Sequence, residues 1–394
     1  MNALEGIRVL DFGRYVAGPY CATLLAEFGA DVLRIEKRGS NDDRYVTPVT
    51  SEGEGALFLL MARNKRSLSL DPVSEEGRKV VRRLVANSDI VVVNMSPRAL
   101  VSLGLDYATL SEINPRIILV SVTAFGDEGT WKDRLGFDTI GQAMSGTTYL
   151  CGTEQQPYRS PASWVDFTTG IYGAFGALAA LRERDRSGRG QMVSANLLAS
   201  ALMSNGLTVL EQALTSPNRK AIGNRNFGSG PTDLFRVKDG WLQVHVIGSA
   251  LFARWARLMG EEAKWVSDPR FATDDLRGRN GAILSERMAE WCSQRTREEA
   301  IAALSEAKVP AAPVLSPQEA FNHPQVQAMG LFEAVAYPGL DKPAPLQRAP
   351  VELSRTPGSI SRPPPTVGQQ TDEVLARVGY SPEDIAELRE RGVI

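Results

Sequence analysis

The chain has 394 residues, of which 43% are hydrophobic and 23% are charged, and its formal net charge is −2. This charge balance argues against the broad basic surface of a nucleic-acid-binding protein. The N-terminal "MNALEGIRVLDFG" lacks the basic start and apolar core of a signal peptide, and no later run is long enough to span a bilayer. The three cysteines are widely separated and have no disulfide or zinc-type spacing. The sequence therefore predicts a cytoplasmic protein of two or three domains, with no nucleic-acid or membrane partner.

The first ~200 residues alternate strand-like and helix-like patterns, which predicts an α/β fold. A helix is expected after the first strand and ends at Gly29, and another begins at Ser74. The predicted strands are 7–13, 31–36, 66–71, 89–95 and 116–122. Consecutive buried strands joined by helices indicate an open parallel sheet, with a ligand at the carboxyl ends of the strands. The turn "GRYVAGPY" matches neither G-x-G-x-x-G nor a P-loop, which disfavours an NAD-dependent oxidoreductase.

The second half of the chain predicts a smaller domain and a returning C-terminus. Residues 220–241 are rich in glycine, asparagine and charge, which marks a domain boundary. Residues from about 240 to 324 have the pattern of a smaller α+β unit. The proline-rich segment 342–370 predicts an extended connector, and 371–393 a final pair of helices.

The candidate catalytic groups are carboxylates, amides and cations rather than histidines. His245 and His323 are the only histidines, and neither has metal-site spacing. Asp166 stands at the start of a predicted helix, where an aspartate is either a cap or first-turn residue or a nucleophilic carboxylate. Composition does not decide between these readings. Gly170 and Gly173 share a face of that helix and predict close packing against another element.

Basic residues cluster near the predicted strand ends 31–36 and 66–71. They form either a solvated basic face or a set that converges on the phosphates of a nucleotide-bearing ligand. The five residues are Arg34, Lys37, Arg38, Lys65 and Arg66. Asn94, at the end of a buried strand, stands where α/β folds place a ligand-binding amide.

Several stretches together resemble the family III CoA-transferases, the group that includes formyl-CoA:oxalate CoA-transferase and α-methylacyl-CoA racemase. They are "GIRVLDFGRYVAGPYCATLLAEFGADVLRIEKRGSNDD", "ARNKRSLSLD", "VVNMSPRALVSLGLDYATLSEINPRIILVSVTAFG", "DRSGRGQMV" and "TDEVLARVGY". They occur in family order over nearly the whole chain.

The resemblance implies an open, Rossmann-like CoA-binding domain (1–222 and 330–394), a smaller α+β domain (223–329) and an interlocked homodimer with its active site between domains. It places the nucleophilic aspartate at Asp166, within "VDFTTG". It places CoA contacts at Val16, Ala17, Lys37 or Arg38, Lys65, Asn94, Met95, and at the "GFD" element with Phe137 and Asp138. It also implies that CoA and acyl-CoA act as substrates, with no tightly bound cofactor and no metal.

The family mechanism moves CoA from an acyl-CoA donor to a carboxylic acid acceptor through covalent intermediates on the aspartate. The helix N-terminus is expected to keep Asp166 ionised. We expect Gly228 and Gly230 to supply oxyanion or flap contacts. Arg225 is a candidate partner for the second carboxylate of a small dicarboxylate such as succinate.

Two departures from the family pattern leave alternatives open. "NFGSGP" has only two glycines where some family members have a longer flap. Phe137 occupies the position of the racemase histidine and cannot exchange a proton, which disfavours an acyl-CoA racemase or epimerase. A non-catalytic CoA-binding protein is the other alternative.

Overall fold

A computed structural model describes residues 2–394. The strands, in chain order, are β1 Arg8–Asp11, β2 Asp31–Glu36, β3 Lys65–Ser69, β4 Ile90–Val93, β5 Ile118–Thr123, β6 Met192–Asn196, β7 Thr232–Val237, β8 Gly240–His245, β9 Ala311–Pro313, β10 Phe332–Val335 and β11 Ala344–Gln347.

The helices in the first part of the chain include the long helix that begins beside Asp166. They are α1 Ala17–Glu27, α2 Ala56–Ala62, α3 Glu75–Ala86, α4 Pro97–Leu103, α5 Tyr107–Ile113, α6 Asp138–Met144, α7 Thr147–Leu150, α8 Trp164–Ser187, α9 Leu197–Ser204 and α10 Gly206–Thr215.

The later helices cover the smaller sheet and the C-terminus. They are α11 Ser249–Leu258, α12 Glu262–Val266, α13 Asp274–Arg279, α14 Gly281–Ser293, α15 Arg297–Glu306, α16 Pro317–Asn322, α17 Pro324–Ala328, α18 Thr371–Arg377 and α19 Pro382–Glu390. Two 3-10 turns add Asp42–Tyr45 and Pro269–Phe271.

The chain forms two compact units. The large unit comprises Met1–Gly146, Ser160–Thr215 and Met329–Ile394, and the small unit comprises Thr147–Arg159 and Ser216–Ala328. The division at 222/223 and 329/330 that the resemblance implies stays a prediction.

The large unit is built on a six-stranded parallel sheet with strand order β3-β2-β1-β4-β5-β6. Alternate strand residues point to opposite faces, so that Val9 belongs to one core and its neighbour Leu10 to the other. Helices α1 and α8 cover the first face, and α3 to α5 with α18 and α19 cover the second. The predicted open parallel α/β sheet is confirmed, and the strand order reverses between β1 and β4, where such folds bind ligands.

Gly170 and Gly173 of α8 pack closely against another helix, as their spacing predicts. A Cβ added to Gly170 would lie 2.8 Å from the backbone oxygen of Ala17, and one added to Gly173 would lie 3.3 Å from Sγ of Cys21. Both neighbours belong to α1. The two helices therefore pack with their backbones close together.

The small unit has its own core beneath an antiparallel sheet in the order β7-β8-β9. Phe252, Trp255 and Trp265 are buried in it with Leu284. The predicted strand around His245 is β8, whereas β7 lies within the segment interpreted only as a domain boundary.

In the large unit, the proline-rich segment is mostly extended but contains β11. Backbone amides of Ser361 and Arg362 donate to Oδ1 of Asn64 and hold this segment on the unit. It leads to the predicted helix pair, α18 and α19, whose Leu375 and Ile385 complete the second core.

Candidate active site

A cleft opens at the carboxyl ends of β1, β4 and β5 in the large unit. Its empty volume, with the solvent space at its mouth included, is about 1040 Å³. Its walls contain six residues predicted from the resemblance: Val16, Ala17, Asn94, Met95, Phe137 and Asp166. Residues distant in sequence are therefore brought to one site at the reversal of strand order.

Asp166 is in the first turn of α8 and is only 8% exposed. Burial, together with the nearby negative charge of Asp138, raises the pKa of its carboxyl group to about 7. Burial and the charge of Asp138 therefore oppose the ionisation that the helix N-terminus is expected to favour.

The N-terminus of α8 is capped by a side chain from another helix. Ser163 at the N-cap position makes no side-chain capping bond. Instead, Oδ1 of Asp138 accepts hydrogen bonds from the backbone amides of Val165 at 2.7 Å and Asp166 at 3.2 Å. Asp138 is buried and does not line the cleft. Its carboxylate contacts the helix that carries Asp166, and its contact with CoA stays a prediction.

The turn after β1 is held rigidly beside the cleft. Oδ1 of Asn94 accepts from the amide of Arg14 at 2.8 Å, and Nδ2 of Asn94 donates to the carbonyl of Arg14 at 2.7 Å. A Cβ at Gly18 would lie 3.2 Å from Cγ of Asn94, so this close approach favours glycine. Tyr15 has φ +62°, and its amide donates to Asp43. Its ring meets Phe137 edge to face at 5.7 Å.

Lys65 is not available for the predicted contact with CoA. Its side chain is fully buried, and its Nζ donates to Oδ2 of Asp11 and to the carbonyl of Pro19, both at 2.7 Å. Burial lowers the pKa of Lys65 to about 8 despite this ion pair. Lys65 thus links the end of β1 to the first turn of α1 through these two bonds.

The rest of the predicted basic cluster is neither one solvated face nor one phosphate site. Arg34 is fully buried against Asp43 at 2.8 Å, and Arg66 is bound to Asp31 at 2.7 Å. Lys37 is about half exposed and pairs with Asp42, a residue of the cleft, at 3.2 Å.

Arg38 lies away from the residues that line the cleft. Its side chain is exposed and lies beside Gly392. A Cβ added to Gly392 would be 2.5 Å from Nη1 of Arg38. Of the alternatives Lys37 or Arg38, Lys37 is therefore the one connected to the cleft.

Three cations that the sequence did not single out line the cleft: Arg14, Lys132 and Arg134. The guanidinium of Arg134 lies over the ring of Trp131, 4.0 Å from its centroid. Lys132 and Arg134 belong to the loop after β5. Their position just beyond the carboxyl end of a buried strand was the signal that could have identified them.

The glycine candidates belong to the small unit, where Gly228 is hydrogen-bonded and Gly230 is closely packed. The amide of Gly228 donates to Oδ1 of Asn226 at 2.8 Å, so it is not a free oxyanion donor. Gly230 is buried, and an added Cβ would lie 2.9 Å from the carbonyl of Arg277. Nε of Arg225 donates to the carbonyl of Ile222 at 3.3 Å.

Within residues 2–394, no group of three or more His, Cys, Asp or Glu side chains is arranged to hold a metal ion. The same residues include no helix with both the length and the apolar character needed to cross a bilayer.

Comparisons with known proteins cover almost the whole chain. The model of "CoA-transferase family III" matches residues 4–371. The succinyl-CoA–L-malate CoA-transferase beta subunit of Chloroflexus aurantiacus is 36% identical over 99% of this chain and 98% of its own. The human succinyl-CoA:glutarate CoA-transferase is 29% identical over 100% of this chain and 90% of its own. A solved CAIB/BAIF family protein from Brucella suis is 30% identical, with a TM-score of 0.83 over 96% of this chain and 100% of its own.

The full-length match, the family order of the motifs and the shared fold agree with one another. This chain is a CoA-transferase and belongs to CoA-transferase family III.

Proposed function

We propose that this protein moves CoA from an acyl-CoA donor to a carboxylic acid acceptor, with Asp166 as the covalent nucleophile. The observation that carries the proposal is the position of Asp166 in the cleft wall, beside five other residues that the resemblance assigns to CoA. A pKa of about 7 leaves a substantial fraction of this carboxyl group ionised at neutral pH and makes the carboxylate more basic than an ordinary aspartate.

The first half of the reaction loads CoA onto the enzyme. A carboxylate oxygen of Asp166 attacks the thioester carbonyl of the donor, and the carbon–sulfur bond breaks. CoA thiolate is released, and a mixed anhydride forms between Asp166 and the donor acyl group. The thiolate attacks the aspartyl carbonyl of this anhydride and expels the donor acid. Asp166 then carries CoA as a thioester.

The second half reverses these steps with the acceptor. The acceptor carboxylate attacks the aspartyl thioester, which gives a new anhydride and CoA thiolate. The thiolate attacks the acceptor's carbonyl, the new acyl-CoA leaves, and the Asp166 carboxylate is restored. No electron and no net proton is exchanged, so the cycle balances with the two substrates alone.

Small dicarboxylic acids are the acids we propose as substrates. Relatives named for succinyl-CoA also carry malate, D-citramalate or glutarate in their names, and all of these acids are dicarboxylic. The cleft offers Arg14, Lys132 and Arg134 to the negative charges of such acyl-CoA molecules. Nothing tightly bound besides these substrates is required.

Asp166→Asn tests the proposal. With succinyl-CoA as donor and glutarate, malate or citramalate as acceptor, native enzyme should form a new acyl-CoA, whereas the variant should be roughly 10³-fold slower or worse. Binding of CoA, measured by calorimetry, should stay within a few fold. The control Asp106→Asn changes a helix cap outside the cleft and should retain activity. Near-native turnover by the Asp166 variant would exclude the covalent role.

A further inference from the structure

Asp138 and Gln142 form a buried clamp at the start of α8, and nothing in the sequence pattern identified Gln142. Gln142 has no exposed surface. Its Nε2 donates to Oδ2 of Asp138 at 2.5 Å, while its Oε1 accepts from the amide of Ser160 at 2.9 Å. Nε2 also lies 3.3 Å from the carbonyl of Ala162. One amide side chain thus ties α6 to the segment that leads into α8.

The other oxygen of Asp138 completes the clamp. Its Oδ1 accepts from the amides of Val165 and Asp166, as described above. The backbone on which the Asp166 side chain stands is therefore fixed by a neighbouring helix rather than by a local cap. A nucleophile held in this way loses little freedom when the thioester arrives.

We propose that Asp138 and Gln142 are positioning residues for the reaction: their clamp fixes the first turn of α8 so that the Asp166 carboxylate faces the cleft, and the charge of Asp138 sets the pH at which Asp166 becomes reactive. The proposal deepens the proposed function and rests on it. Neither side chain lines the cleft, so each acts on the reaction through the position and charge environment of Asp166.

The electrostatic part rests on two buried carboxyl groups at the first turn of α8. Asp138 binds the backbone amide of Asp166 itself, so two carboxyl groups share the same buried corner. The other charged groups that line the cleft with Asp166 are Arg14, Asp42, Lys132 and Arg134. After burial, the second cause of the raised pKa of Asp166 is the charge of Asp138. Its removal should lower that pKa and leave the effect of burial in place.

Single-turnover experiments from pH 5 to 9 separate the two parts. Full-length enzyme is mixed with succinyl-CoA without acceptor and quenched with hydroxylamine, and the modified Asp166 peptide is quantified. For native enzyme the rate should rise with pH, with a midpoint near 7. Asp138→Asn removes the charge and keeps one acceptor oxygen for the amides of Val165 and Asp166, but its Nδ2 cannot accept from Nε2 of Gln142. The midpoint should therefore move to lower pH by roughly half a unit or more, and the rate should fall as well.

Gln142→Ala loosens the clamp and keeps the charge of Asp138. Its rate should fall roughly 10-fold or more at every pH, with the midpoint unchanged. Asp106→Asn, a matched capping variant on α5, should change neither quantity. Circular dichroism and CoA binding establish that each variant is folded, and Gln142→Ala tests the positioning even if Asp138→Asn does not fold.

The inference would be overturned if Asp138→Asn and Gln142→Ala both showed the same pH midpoint and the same rate of Asp166 modification as native enzyme. An equal rate loss in Asp138→Asn and Asp106→Asn without any shift of the midpoint would also overturn it. Failure of the proposed function has a different result: native enzyme would then yield no modified Asp166 peptide at any pH.

Discussion

At the scale of single residues, the environment of Asp166 links its chemistry to the stability of the fold. Its pKa rises from 3.8 to about 7 on folding, because burial disfavours the charged form. Below about pH 4 the carboxyl group is protonated in both states and has no effect. As the pH rises from about 4 to about 7, the unfolded chain loses this proton first. The free energy of unfolding therefore decreases across that window, and above about pH 7 the loss is complete.

Asp166→Asn should accordingly stabilise the protein in a pH-dependent way. The gain in the free energy of unfolding relative to native protein should be near zero at pH 4 and grow to at most about 4 kcal/mol at pH 8. Thermal unfolding at a series of pH values measures it. A difference that is constant with pH would show that Asp166 does not titrate as described.

Residue by residue, the sequence could locate part of the site but could not tell a buried cation from an exposed one. Arg34 and Lys65 look like their exposed neighbours, yet each pairs with a carboxylate inside the fold, Asp43 and Asp11 respectively. Lys65 and Asp11 are 54 positions apart, so no local pattern reveals the pair. The position of Asp166 in the cleft was predicted, whereas its cap from Asp138 depends on tertiary contacts.

At the scale of elements, the packing of α8 on α1 determines where Asp166 lies relative to the turn after β1. Gly170→Ala would place a methyl group 2.8 Å from the carbonyl oxygen of Ala17, a backbone atom that cannot move without disturbing α1. We expect a loss of roughly 1–3 kcal/mol in the free energy of unfolding.

The matched control is Gly206→Ala in α10, where an added Cβ has no atom within 4 Å. It should be neutral or slightly stabilising, because alanine is a better helix former than glycine. Urea unfolding of the two variants gives the comparison. Equal effects at positions 170 and 206 would contradict the proposed contact between the helices.

The elements that the sequence predicted well are those with continuous burial. Strands β2, β4 and β5 are almost wholly buried, β4 and β5 consist largely of β-branched residues, and all three were predicted within a few residues. β6 was missed because only Ala195 of its five residues is buried, so an edge strand carries no such signal. β7 was missed because turn-forming residues surround it.

At the scale of the whole molecule, we propose that exposed apolar side chains on α8 to α10 form the interface with a second copy of the chain. They recur at helical spacing on the large unit, and large exposed apolar patches mark interaction surfaces. They are Ile171, Phe175, Leu178, Met203, Leu207, Leu210 and Leu214, with Leu207 85% exposed. Such a surface fits the homodimer that the family resemblance implies.

Leu207→Lys with Leu214→Lys should therefore shift the protein from dimer to monomer, because charges would be buried at the interface. Sedimentation velocity at micromolar concentration measures the state. Val101→Lys, at another exposed apolar position of the large unit, should leave the dimer intact. A native protein that sediments as a monomer would contradict the proposed interface.

Covalent modification of Asp166 during transfer can be measured directly. Native enzyme is incubated with succinyl-CoA, treated with hydroxylamine, digested and analysed by mass spectrometry. We expect a hydroxamate on the carboxyl group of Asp166, its absence without succinyl-CoA, and inactivation that parallels its formation. An unmodified Asp166 peptide from enzyme that still transfers CoA in the presence of hydroxylamine would exclude the covalent role of Asp166.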